Sequence, residues 1–90
     1  MHFRASLMWY YMYLTVSDAA ARLRDFFENK NVFTFEQHFH EVVPICLDEA
    51  LEAAIIAHAL KLFEQRNLVT RLDVEGKTAF VLNRKLSTAG

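Results

Sequence analysis

Three side chains within nine residues, His38, His40 and Cys46, have the types that suit a metal ion or a nucleophilic step. Together they make a three-ligand set of a kind zinc accepts, but their spacing matches no recognised site. The two histidines stand two positions apart, so on a helix they face different directions and only a strand turns them to one side. Cys46 as nucleophile with His38 or His40 as base is the enzymatic alternative. A lone cysteine in apolar surroundings is more often a small core residue. Asp48, Glu49 and Glu52 offer close carboxylates of the sort acid–base chemistry uses, yet they read more economically as the solvated start of a helix. Gly76 and Gly90 are the only glycines, so no glycine-rich loop can cradle a phosphate. Trp9 with Tyr10, Tyr11 and Tyr13 has the composition of a stacking platform for single-stranded nucleic acid, but no Lys or Arg is interleaved and core packing is the simpler use. The expectation is a chain with no enzymatic activity, no cofactor and no metal.

Charge is distributed unevenly. Residues 1 to 30 carry a balance of +1. Residues 31 to 60 contain no Lys or Arg and hold Glu36, Glu41, Asp48, Glu49 and Glu52, a balance of −5; residues 61 to 90 carry +3 and restore the net −1. Ninety residues make one domain at most, since a single core usually spans about 50 to 200. A chain that is 53% hydrophobic with two Gly and one Pro has the composition of a folded domain rather than a disordered segment. One cysteine excludes an internal disulfide, which fits a reducing, cytoplasmic setting.

These side chains need elements to position them. Ala5 to Val16 is apolar and follows Arg4, as a signal core does, but its aromatic residues suit a strand better. At about twelve residues it is also too short to cross a bilayer. Leu7 to Leu14 is expected to be that strand, with both faces apolar, and edge pairing through it gives a route to a homodimer. Ser17 is the expected N-cap of a first helix running to about Asn29, with Leu23, Phe26 and Phe27 on its apolar side. Val32-Phe33 reads as a short strand. Thr34 and Gln37 form a capping-box pattern that opens a second helix over Phe35 to Val42, ended by Pro44. A third helix runs from near Asp48 to Arg66 and stops where Asn67 can turn left-handed. Leu68 to Asp73 and Thr78 to Asn83 are then two strands of a hairpin, with Gly76 supplying the positive φ of its turn.

That order is the element order of a winged helix, an α+β fold of three helices and a C-terminal β-hairpin wing, here with an extra N-terminal strand. The expected divisions are an N-terminal strand segment (1–16), a three-helix core (17–66), the wing (67–85) and a tail (86–90). Leu7-Met8-Trp9 before a helix, then Asn31-Val32-Phe33-Thr34-Phe35, then Leu51 nine residues before Leu60 within Ala59-Leu60-Lys61-Leu62-Phe63-Glu64-Gln65, resembles the second winged-helix domain of the smallest ESCRT-II subunit. ESCRT-II sorts ubiquitinated cargo on endosomes. The resemblance implies that this chain corresponds to half of such a subunit, is cytoplasmic and endosome-associated, and recruits an ESCRT-III subunit by binding that partner's helix.

The third helix weighs two functions. In a DNA-binding regulator it enters the major groove while the wing holds phosphates, with Arg71, Lys77, Arg84 and Lys85 available for that contact. The acidic middle third disfavours this alternative, because Asp48, Glu49 and Glu52 sit where phosphates approach and only His58, Lys61 and Gln65 can reach the groove. At 100° per residue, Ile56, Leu60 and Phe63 make one apolar row, assigned to the core. Leu51, Ile55, His58 and Leu62 make a second, and the apolar arc they form spans roughly 200°. Either the helix is packed on several sides, or the second row is a docking groove for a partner helix. The latter makes the chain a protein-interaction module.

Overall fold

A computed structural model of the chain describes residues 14–83. It is a small α+β domain of three helices and a three-stranded antiparallel sheet. The elements follow in the order α1 (Val16–Asn29), β1 (Val32–Phe33), α2 (Phe35–Val42), α3 (Glu49–Gln65), β2 (Val69–Val74) and β3 (Lys77–Leu82). The strand expected over Leu7 to Leu14, and the dimer route through it, lie outside the described residues except for Leu14, which is buried in the core.

Helix α1 is capped by Thr15, not by Ser17 as its sequence suggests. The Thr15 Oγ1 accepts the Asp18 N–H at 3.0 Å. Beginning at Val16 adds an apolar side chain packed against the core, which a start after Ser17 forfeits. At α2 the Thr34 Oγ1 accepts the Gln37 N–H at 3.2 Å, as the capping-box pattern implies. The return bond comes from the next residue: the Thr34 N–H donates to His38 Nδ1 at 3.0 Å. Asp48 caps α3 through the Leu51 N–H at 3.2 Å. That helix ends in a Schellman turn, with Asn67 at φ 63°, its N–H on Glu64 O at 3.0 Å, and the Leu68 N–H on Phe63 O at 2.9 Å.

The sheet order is β1-β3-β2. Register pairs Arg71 with Phe80 and Val74 with Lys77 across the hairpin, and Phe33 with Phe80 between β1 and β3. Phe33 and Phe80 therefore share the face that closes on the helices. Ile56, Ala59, Leu60 and Phe63 of α3 meet Ala19, Leu23, Phe26 and Phe27 of α1 in one buried cluster with Phe33, Phe39 and Val69. Phe26 meets Phe33 edge to face with centroids 5.4 Å apart, and Phe33 meets Phe35 likewise at 5.2 Å. α3 packs chiefly on α1 and touches β2, and no other element among the described residues packs on its remaining side to a like extent.

Candidate interaction surface

Periodicity decides which side of α3 is free. Glu52, Ile56, Ala59, Leu60 and Phe63 are buried, and at 100° per residue they occupy about 80° to 180° measured from Leu51. The opposite arc carries Ala50, Leu51, Ala54, Ala57, His58, Lys61 and Gln65, all exposed, with Lys61 its only Lys, Arg, Asp or Glu. Of the row expected to dock a helix, Leu51 is 41% exposed, His58 is exposed and Leu62 is half-buried. Ile55 is half-buried and packs against the core, so it joins both surfaces. Two further apolar side chains, unremarked in the sequence, are exposed in the loop before α3: Ile45 is 62% and Leu47 41% exposed. Composition did not mark them because a loop after proline has no periodicity to read.

The carboxylates at the start of α3 divide into different roles. Asp48 is the cap and Glu49 is exposed, in keeping with a solvated first turn. Glu52 departs from that expectation: it is 2% exposed, and its Oε2 accepts the Leu47 N–H at 3.4 Å. The signal was present in the spacing, since Glu52 precedes Ile56 by four and Ala59 by seven, both core positions. Burial, then the neighbouring Glu52 carboxylate, which favours a protonated sulfur, and the charges of Glu49 and Asp48 push the Cys46 thiol above its ordinary range, away from nucleophilic use at neutral pH.

His38 and His40 both lie on α2 and part as a helix requires. His38 is tied to Thr34, while His40 Nε2 lies 3.6 Å from Glu49 Oε2 and links α2 to the start of α3. Among the described residues no group of three His, Cys, Asp or Glu side chains is placed to hold a metal ion. In the β2–β3 hairpin, where the phosphate-holding wing was expected, Arg71 is exposed, and Lys77 Nζ is 3.5 Å from Glu36 Oε1, which partly neutralises it. Arg84 and Lys85 lie outside the described residues. The hairpin adds an exposed apolar set unforeseen from sequence: register places Val32, Leu72 and Val74 on the face opposite Phe80.

No family model, no curated protein and no solved structure matches this chain. No helix among the described residues is long and apolar enough to cross a membrane.

Proposed function

We propose that this domain is a winged helix acting as a non-catalytic protein-interaction module, with the exposed side of α3 and the adjoining Ile45–Leu47 loop as its docking surface. The order of three helices followed by an antiparallel hairpin supports the winged-helix reading. The observation that carries the function is the composition of the exposed side of α3, where Leu51, three alanines and His58 predominate and Lys61 and Gln65, both in its C-terminal half, are the only residues of the Arg, Lys, Asn and Gln types that read bases. A partner helix with apolar anchors at i, i+3 or i+4 and i+7 fits such a surface. The sequence resemblance makes a helix of an ESCRT-III-type subunit the first candidate, with endosomal sorting in the cytoplasm as the setting. A DNA-binding regulator fits less well, because residues 31–60 supply no cation and Lys77 is engaged by Glu36.

Amide NMR titration with helical peptides from ESCRT-III-type subunits tests the reading. Shifts are expected at Leu51, Ala54, His58 and Leu62, and Leu62→Asp is expected to abolish them with little change in melting temperature. Shifts at Lys61, Arg71 and Lys77 on adding a DNA duplex in low salt, with none from any peptide, would overturn it.

A further inference from the structure

We propose that this surface also pairs with α3 of a second copy of the chain, running antiparallel, so that a partner helix and self-association compete for it. The inference rests on the reading that the exposed side of α3 is the docking surface, and it names one occupant. Leu51, Ile55, His58 and Leu62 are separated by four, three and four residues. That spacing reads the same in both directions, so a two-fold axis near Ile56 and Ala57 lays Leu51 of one copy against Leu62 of the other, and Ile55 against His58.

Charge completes the match. Asp48 and Arg66 bracket the row and are both exposed. They are eighteen residues apart, which at 3.6 residues per turn is about five turns and puts them on one azimuth. Antiparallel pairing about nearly the same axis brings Asp48 of each copy opposite Arg66 of the other, twice in the dimer. Neither forms an ion pair within the chain among the described residues. The opposed helix dipoles favour the same direction. A parallel pair, or a helix bearing unrelated charges, lacks this reciprocity.

Sedimentation velocity on the full chain, from about 10 µM to about 1 mM, reads the outcome directly. The wild type is expected to pass from monomer to dimer across that range. Arg66→Asp and Asp48→Arg each set like charges against one another at both ends and are expected to weaken the dimer about tenfold, more at low salt than at high. An equimolar mixture of the two variants restores opposite charges at both ends and should recover the wild-type association. Asp48→Arg also removes the α3 cap, so Leu51→Lys, which keeps it, serves as a second disrupting variant. A wild type that stays monomeric, or a dimer indifferent to Leu51→Lys and Arg66→Asp, overturns the proposal. If the monomer still binds helical peptides and Leu62→Asp abolishes that binding, the docking surface stands and only its self-pairing fails; if no peptide binds, both fail.

Discussion

The Oε2 of Glu52 accepts the backbone N–H of Leu47 at 3.4 Å, and through this contact a buried carboxylate ties the loop after α2 to the first turn of α3. The other oxygen, Oε1, is buried without a hydrogen-bond partner among the described residues. A charge withdrawn from water in this way opposes folding unless its contacts offset the loss. What it secures is position: Leu47, and with it the exposed Ile45, belongs to the loop that Glu52 holds.

Glu52→Ala removes the only acceptor of the Leu47 N–H and opens space in the interior. A stability loss of about 1 to 3 kcal/mol is expected by urea denaturation. Glu52→Gln keeps the acceptor and discards the charge, so it should retain most of the stability. The same variant removes the negative charge that favours the protonated Cys46 thiol and repels its thiolate. Alkylation of Cys46 at mildly alkaline pH should therefore be slow in the wild type and faster in Glu52→Gln, while burial keeps it slower than in the unfolded chain. Equal rates in both folded proteins would show that burial alone sets the reactivity.

The Lys30 Nζ donates to Glu41 Oε1 at 2.8 Å, joining the end of α1 to α2, and this hydrogen bond, reinforced by the ammonium charge, holds the Glu41 carboxyl below its ordinary range. A pKa lowered in the folded state stabilises the protein at pH values above the ordinary glutamate range. That contribution is lost as pH falls through the depressed value. Carbon-detected NMR titration should find the Glu41 midpoint below that of ordinary exposed glutamates. Lys30→Gln should raise it toward them. The pair is solvent-exposed, so added salt should shrink its charge component.

The hairpin turn puts two consecutive residues at positive φ, Glu75 at 53° and Gly76 at 80°. This is the type I′ pattern whose twist matches the flanking strands. A Cβ at Gly76 meets nothing within 4 Å, so Gly76→Ala tests backbone conformation alone, and a cost of about 1 kcal/mol is expected. Glu75→Asn replaces a residue unsuited to the left-handed region by one that tolerates it. A gain of about 0.5 kcal/mol is expected, measured as a rise in thermal midpoint.

Much of this was legible because local signals and packing agree. Phe35 to Val42 is bounded as predicted, since Thr34 caps it and Pro44 follows it, and the hairpin was readable from Asn67 and Gly76. The first cap was misplaced because Thr15 and Ser17 have similar propensity, and the choice is made by whether Val16 reaches the core. The capping box was half right: sequence pointed to Gln37 for the return bond, but His38 takes it because its ring is already held against Phe26 and Phe33. Glu52 was assigned to water on residue type alone, although its helical phase placed it inward. The exposed apolar residues Ile45, Val32 and Val74 escaped notice because exposure depends on what packs over a residue, which no single-residue property records.

The proposed docking surface implies a contrast between two leucines separated by one residue. Leu60 is fully buried in the core cluster, whereas Leu62 is half-buried, one helical turn from His58 and on the same row as Leu51. Truncating a packed core leucine costs about 2 to 5 kcal/mol, because the transfer energy of the lost methyl groups adds to that of the cavity left behind. Leu60→Ala is therefore expected to lower stability by that amount and, in a domain this small, to leave part of the population unfolded. Leu62→Ala leaves no enclosed cavity, and a loss of less than about 1 kcal/mol is expected. Under dilute, monomeric conditions the two effects should differ clearly in urea midpoint, and at high protein concentration the Leu62→Ala chain should associate less than the wild type. If Leu62→Ala destabilised the dilute monomer as much as Leu60→Ala, Leu62 would belong to the core and the row along α3 would lose its C-terminal anchor.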